Sequence, residues 1–216
     1  MTRLLIVRHG ETDWNADARV QGYSDIPMNE AGREQVRVTA RELAGERIAA
    51  VYASDLSRAR ETGEIVAAPH HLAVQTVPAL RERCWGAWEG RSMPELAAED
   101  PVNYARLQAG DWVTPEGAEV YEDVQARIVG AIEQITANHV DETVIVATHG
   151  GPIKVFTAWV LGAPVAAHHK MRIGNASVTT VILRDGRFVL ESYNVPPREA
   201  EPEPPNPGKT LIESAF

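Results

Sequence analysis

The stretch LLIVRHGETDWN, residues 4–15, runs from four apolar residues directly into an arginine, a histidine and a glycine. A short apolar run that ends in polar residues is typical of a strand buried on both faces of a sheet. In an open α/β sheet, ligands bind beyond the carboxyl ends of the strands. The pattern therefore places His9 where a ligand binds, and Gly10 lets the backbone approach that ligand closely.

A second apolar run ends in the same way. The stretch ETVIVATHGG, residues 142–151, leads into His149, Gly150 and Gly151. A single histidine in a loop is more often structural than functional. Two histidines at equivalent strand ends, each followed by glycine, favour a shared site instead.

The rest of the chain alternates helix and strand patterns. Helices are predicted over residues 30–44, 56–68, 120–135 and 152–162, and strands over residues 48–54 and 72–80. Residues 10–28 have the composition of a long loop, and residues 176–194 that of a hairpin with an Asp185-Gly186 turn. This alternation predicts an α/β domain of three layers, α/β/α, with a mainly parallel central sheet.

Residues 81–118 break the alternation. Three of the five tryptophans lie there together with two short helical patterns, so we expect a small helical cap inserted over the sheet. Residues 1–194 are predicted to form one domain. Residues 195–216 hold six of the 14 prolines and are predicted to form an extended tail.

Composition argues against several classes of function. The net charge of -9 opposes long-range attraction to nucleic acid or to an anionic membrane. No apolar stretch approaches the ~20 residues of a membrane span, and the first residues lack the pattern of a signal peptide. Cys84 is the only cysteine, which excludes an intramolecular disulfide. We therefore expect a cytoplasmic protein.

Five motifs, in order, resemble the signatures of the histidine phosphatase superfamily, which includes the cofactor-dependent phosphoglycerate mutases. The likeness covers residues 1–194 and implies a phosphoglycerate mutase-like fold. The motifs are LLIVRHGETDWN at 4–15, QGYSDIPMNEAGREQ at 21–35, SDLSRARETGEIV at 54–66, LRERCWGAWEG at 80–90 and VATHGG at 146–151.

The resemblance implies a role for each catalytic candidate. His9 is the implied nucleophile, because a neutral imidazole attacks phosphorus well near pH 7. Arg8, Arg58 and His149 are implied to complete the phosphate pocket, since guanidinium groups hold phosphate oxygens in bidentate fashion and a protonated or donating histidine stabilises their charge. Glu82 is the implied general acid, which later activates water.

Further residues in the matched motifs are expected to bind the phosphate or the substrate. Asn15 is expected to donate to the phosphate. The others are Thr12, Gln21, Gly22, Gly150 and Trp85.

The mechanism that the resemblance implies needs no metal and no cofactor. The doublets His70-His71 and His168-His169 are poor chelates, because neighbouring residues of a strand point to opposite faces. We therefore predict no metal site.

Three activities compete at this point. The first is a phosphomonoesterase, the second a phosphoglycerate mutase, and the third an inactive relative that serves as a binding module. The presence of every catalytic candidate opposes the third. Residues 86–118 contain Arg91 and Arg106 but neither a lysine nor an arginine pair, and this favours the phosphatase.

We expect the substrate to be a small phosphorylated metabolite, and a homodimer is a common state of such relatives. Trp85, Trp88, Tyr104 and Trp112 either face a bulky leaving group or pack the cap. The chain also departs from the glycine-glycine-glutamate-serine pattern of many family phosphatases, because Val120 follows Glu119. Thr114 is then a candidate cap for the next helix.

Overall fold

The computed structural model describes residues 1–109 and 113–198. Within those residues, six strands form one sheet in the order β3-β2-β4-β1-β5-β6. The strands are β1 Thr2–Arg8, β2 Ile48–Ala53, β3 Val74–Thr76, β4 Thr143–Thr148, β5 Val178–Arg184 and β6 Arg187–Val195.

Four neighbouring strands are parallel, and the last two strands form an antiparallel hairpin at the edge. Strand β4 pairs in parallel with both β1 and β2, and β2 pairs in parallel with β3. Strand β5 pairs antiparallel with β1 and carries β6 on its other side. Both Asp185 and Gly186 have positive φ, as a two-residue hairpin turn requires. The mainly parallel sheet is confirmed.

The helices cover both faces of the sheet. They are α1 Asp13–Ala16, α2 Glu30–Leu43, α3 Ser57–Ala67, α4 Met93–Glu99, α5 Pro101–Gln108, α6 Tyr121–Ala137 and α7 Gly150–Val160. Side chains alternate along β1: Leu4 packs in the core that contains Ile132 and Phe156, and Leu5 in the core that contains Val36 and Val66. Helices α6 and α7 therefore lie on one face, and α2 and α3 on the other.

Helix α2 begins where the sequence predicts. The Asn29 side chain accepts a hydrogen bond from the Gly32 N–H and so satisfies one free donor of the first turn. The predicted strand over residues 72–80 is shorter than expected. It ends at Thr76, and Pro78 opens a single helical turn, Pro78–Leu80, because its fixed φ suits a helix start and it has no N–H for a strand ladder.

The cap contains the two expected short helices, α4 and α5. Its small core consists of four buried apolar residues: Val20, Trp88, Leu96 and Val113. Thr114 does not cap α6, whose N-cap is Val120 with no side-chain bond. Trp112, predicted to lie in the cap, falls outside the described residues, as do residues 199–216 of the predicted tail.

In the described part of the chain, no helix combines the length and the apolar character needed to cross a membrane.

Candidate active site

The two histidines meet because their strands are neighbours. Arg8 at the end of β1 is in register with Thr148 at the end of β4. The backbone N–H of His9 donates to the Thr148 carbonyl at 2.9 Å. The rings of His9 and His149 lie edge to face with centroids 5.2 Å apart. The parallel pairing of β1 with β4 therefore brings the two histidines together at one edge of the sheet, as the sequence predicts.

The tautomer of His9 follows from its hydrogen bond. Its Nδ1 lies 2.7 Å from the Gly10 carbonyl oxygen, which only accepts, so the proton resides on Nδ1. Within the described residues, Nε2 has no hydrogen-bond partner and keeps a free lone pair. Burial lowers the pKa of His9 well below its usual range, and the positive charges of Arg58 and Arg8 lower it further. The ring is therefore neutral near pH 7.

His149 is completely buried beside His9. Its Nε2 lies 2.9 Å from the Ser54 hydroxyl, and its Nδ1 has no partner in the described structure. Burial again lowers the pKa well below the usual range, and Arg58 is the largest charge that acts with it. Of the two forms expected from the sequence, protonated or donating, the surroundings favour the neutral donating ring.

Arg58 lies in the first turn of α3, behind the loop that follows α1. Its Nη1 donates to the Ser24 carbonyl at 2.8 Å and its Nη2 to the Gly22 carbonyl at 2.7 Å. Gly22 has a φ of 55°, a conformation that favours glycine. Burial lowers the pKa of Arg58 to about 10, so it stays charged at neutral pH. The two Nη groups of Arg58, which were expected to bind the phosphate, therefore donate to the loop that contains Gly22 and Ser24. The Nε group has no partner among the described residues.

Glu82 is held by two backbone N–H groups. Arg83 donates to Oε1 at 2.8 Å, and Gly151 in the first turn of α7 donates to Oε2 at 3.1 Å. A Cβ on Gly151 would lie 2.1 Å from Oε1. Glycine at 151 is thus what lets the carboxylate rest against the start of α7.

Arg127 fixes the segment that carries Glu82, and the sequence reading missed it. Its guanidinium donates to the carbonyl oxygens of Ala79, Arg81 and Glu82 at 2.9, 2.6 and 2.7 Å. It also forms a two-bond pair with the Glu119 carboxylate, at 3.0 Å for each bond. Glu119 keeps the glutamate of the glycine-glycine-glutamate-serine pattern, and its partner Arg127 lies eight residues further along the chain. This kept glutamate was the feature of the sequence that could have pointed to Arg127.

The remaining predicted residues occupy different depths. Asn15 lines the smaller cavity described below, and its side-chain oxygen accepts from the Asn175 amide and from the Thr12 backbone N–H. Gln21 is buried at the cavity wall, with an oxygen that lacks a partner among described residues. Thr12 lies behind the wall, fully buried, where it caps α1.

Two adjoining cavities open at this sheet edge, with volumes of about 200 and 440 Å³. Arg8, Glu82 and Trp85 line both. The first is also lined by His9, Asn15, Arg19, Val20, Gln21, Gly22, Arg58, Trp88 and Met93. The second is also lined by Tyr121, Gly150, Gly151, Lys154, Met171, Arg172 and Ile173.

Aromatic residues of the cap both pack and face the cavities. Trp85 and Trp88 stack with centroids 6.0 Å apart, and both line the first cavity. The buried Arg83 guanidinium lies 4.1 Å from the Trp85 ring centre and 4.2 Å from that of Tyr121. Tyr104 is half-buried against the small core of the cap. The sequence left open whether these aromatic residues pack the cap or face the leaving group. Trp85 and Trp88 do both, because they stack on each other and line the first cavity.

The described residues contain no group of three or more His, Cys, Asp and Glu side chains arranged to hold a metal ion. His168 and His169 instead pack their rings against Tyr121.

The sequence profile of the histidine phosphatase superfamily, branch 1, matches residues 4–196. The chain belongs to this superfamily. The expected family is thereby confirmed over nearly the whole described length.

Curated relatives include both hydrolases and mutase-like proteins. The chain is 36% identical to a metal-independent phosphoserine phosphatase of Arabidopsis thaliana, over 90% of this chain and 82% of the relative. It is 32% identical to a probable phosphoglycerate mutase of Photorhabdus laumondii, over 90% of this chain and 91% of the relative.

Solved structures confirm the fold. YhfR from Bacillus stearothermophilus has a TM-score of 0.85 at 32% identity and covers 90% of this chain and 98% of its own. A phosphoserine phosphatase variant from Entamoeba histolytica, in complex with phosphoserine, has a TM-score of 0.79 at 28% identity, with coverages of 90% and 97%.

Proposed function

We propose that this protein is a metal-independent phosphomonoesterase that hydrolyses a small phosphorylated metabolite through a phosphohistidine at His9. One observation carries the proposal. His9 is neutral, has its proton on Nδ1 and has a free Nε2, and it lines a cavity together with Arg8, Arg58 and Glu82.

In the first step, Nε2 of His9 attacks the phosphorus and a nitrogen–phosphorus bond forms. The phosphorus–oxygen bond to the alcohol breaks, and Glu82 gives its proton to the departing oxygen. Products are the free alcohol and phospho-His9. The Gly10 carbonyl stabilises the ring, because it accepts from the Nδ1 proton while positive charge develops.

In the second step, the Glu82 carboxylate takes a proton from water, and the water oxygen attacks the phosphorus. The bond to Nε2 breaks, inorganic phosphate leaves, and His9 and protonated Glu82 are restored. The same carboxyl group therefore serves both steps in opposite directions.

Charge on the transferring phosphoryl group is met by Arg8 and Arg58, with the Asn15 amide as a further donor. His149 presents an Nδ1 with no partner among the described residues. If the Ser54 hydroxyl donates to Nε2 of His149, the proton lies on this free nitrogen, where it is available to the phosphoryl oxygens.

The cap favours hydrolysis over the mutase reaction. The groups that residues 86–109 and 113–118 contribute to the first cavity are the apolar Trp88 and Met93. Arg91 lies on the surface in a 3.0 Å pair with Glu99, and Arg106 lines neither cavity. The cap therefore offers no cation in its described part to hold the second phosphate of a bisphosphate intermediate.

The relatives support a small phosphorylated substrate. The Arabidopsis relative is named for phosphoserine, and the Entamoeba structure contains phosphoserine. The cytoplasmic location and the homodimer expected from the sequence stay predictions.

A panel of phosphomonoesters, with 3-phosphoglycerate tested with and without 2,3-bisphosphoglycerate, separates the activities when both inorganic phosphate and 2-phosphoglycerate are measured. We expect phosphate release that a chelator does not reduce. Rapid formation of 2-phosphoglycerate with little free phosphate would identify a mutase, and absence of both products for every ester would contradict enzymatic function.

A further inference from the structure

The larger of the two cavities contains two cations that the proposed chemistry does not use. Lys154 on α7 and Arg172, in the segment before β5, both line it. Within residues 1–109 and 113–198, neither has a hydrogen-bond or ion-pair partner. Most arginines near the site form ion pairs or donate to carbonyl oxygens, whereas Lys154 and Arg172 do neither within the described residues.

Lys154 is the more enclosed of the pair. Burial lowers the pKa of its ammonium group, the nearby charge of Arg8 lowers it further, and Glu82 opposes both effects. Glu82 is the one carboxylate among the described lining residues, and two backbone N–H groups already engage it. A half-buried ammonium group whose one nearby carboxylate is already bonded to two backbone N–H groups favours a further anion beside it.

The first turn of α7 forms another wall of the same cavity. Gly150 and Gly151 line it, and the start of an 11-residue helix carries partial positive charge. Three features of different origin, an ammonium, a guanidinium and a helix start, therefore outweigh the one carboxylate among the lining residues.

We propose that the larger cavity is a subsite for a carboxylate on the leaving alcohol, bound by Lys154 and Arg172. This inference rests on the proposed phosphatase function and names its substrate class: phosphomonoesters of small hydroxy acids. The leaving group lies between the two cavities at their shared wall, where Glu82 protonates its oxygen and Trp85 covers it.

Arg8 connects the subsite to the phosphate. Its Nη1 donates to the Ile173 carbonyl at 2.6 Å, which fixes the backbone next to Arg172. The volume of about 440 Å³ accommodates a three-carbon acid with room to spare. A carboxylate bound there would point away from His9, while the phosphate stays in the smaller cavity.

The test uses two substrates that differ only at one carbon. 3-Phosphoglycerate carries a carboxylate where glycerol 3-phosphate carries an alcohol. We expect the wild-type protein to have the higher kcat/KM for 3-phosphoglycerate. In Lys154→Met and in Arg172→Gln, the ratio of the two kcat/KM values is expected to fall by about tenfold, as for loss of a charge-assisted bond.

A fall in this ratio of less than about threefold in both variants would overturn the subsite. Lys170→Met is the matched control, because Lys170 is exposed, close in sequence and absent from the cavity wall. It removes the same charge, and we expect it to keep the wild-type ratio. A fall in the control equal to that in Lys154→Met would show a general field effect and would contradict a specific contact.

Binding separates failure of the subsite from failure of the proposed function. Calorimetry on the His9→Ala protein needs no turnover and compares 3-phosphoglycerate with glycerol 3-phosphate. We expect tighter binding of 3-phosphoglycerate, and loss of that preference when Lys154→Met is added. If His9→Ala prefers 3-phosphoglycerate but the wild type hydrolyses no ester, the phosphatase function is refuted and the subsite is supported. If the wild type hydrolyses esters but His9→Ala shows no preference, the subsite is refuted and the phosphatase function is supported.

Discussion

His9 shows how much chemistry a single backbone contact decides. The Gly10 carbonyl fixes the proton on Nδ1, and burial next to Arg58 and Arg8 keeps the ring neutral. The nucleophilic nitrogen is thus available without a separate general base. The sequence motif identified the residue, but the tautomer depends on a carbonyl orientation that no motif encodes.

His9 is therefore expected to stay neutral well below pH 6.5. In nitrogen-15 NMR spectra of the free protein, its Nδ1 should give the signal of a protonated nitrogen and its Nε2 that of an unprotonated one at pH 6. Exposed His71 provides a reference signal in the same spectrum. A His9 ring with both nitrogens protonated at pH 6 would contradict the role assigned to burial and to the arginines.

Gly151 offers a test of the Glu82 position at the scale of one methyl group. In Gly151→Ala the new Cβ collides with Oε1 and displaces the carboxylate. We expect kcat/KM for an alkyl phosphate to fall by about 10- to 100-fold. The fall for p-nitrophenyl phosphate should be smaller, because that leaving group needs no proton.

Gly130→Ala in α6 is the matched control, since a Cβ there meets no atom within 4 Å. It should leave both activities unchanged and raise the free energy of unfolding by about 1 kcal/mol. Equal losses on both substrates in Gly151→Ala would remove Glu82 from the role of acid.

At the scale of elements, helix α6 acts on the site through Arg127. This side chain ties three carbonyl oxygens of residues 79–82 to the Glu119 carboxylate. Arg127 is a positioning residue, because it bonds to the backbone of Glu82 and lines neither cavity.

Arg127→Met is expected to leave these groups unpaired and to lower kcat for alkyl phosphates by about tenfold or more, with a smaller change in KM. Arg127→Lys should recover part of the loss. The ratio of alkyl to p-nitrophenyl phosphate activity is the deciding measurement. A purely structural role would lower stability without changing that ratio.

The elements also show what the sequence determines and what it leaves open. The apolar runs of β1 and β4 predicted buried strands, and their parallel pairing followed from alternation with helices. The order of strands across the sheet did not follow, since it depends on which faces pack best. Likewise no pattern in the sequence paired Lys154 with Arg172, because they lie 18 positions apart and only Lys154 belongs to helix α7.

The whole molecule should lose stability in mild acid. Burial lowers the pKa of His9, His149 and His168, to about 4 for His168, against about 6.5 when unfolded. As pH falls below 6.5 the unfolded chain binds protons that the native state does not, so the free energy of unfolding decreases.

Urea unfolding at pH 7 and pH 5 measures this loss. The loss in His168→Gln should be smaller than in wild type by about 1–2 kcal/mol, because one buried histidine no longer contributes. Exposed His71→Gln is the control and should behave like wild type. An unchanged loss in His168→Gln would mean that His168 accepts a proton within the fold.

The central claim is the covalent phosphohistidine at His9, and the Glu82→Gln protein tests it most directly. With p-nitrophenyl phosphate the first step needs no acid, but the second step lacks its base. We predict a burst of one p-nitrophenol per protein molecule, with an alkali-stable, acid-labile phosphoryl group on the peptide that contains His9. Absence of both the burst and the label, or a label on another residue, would contradict the account.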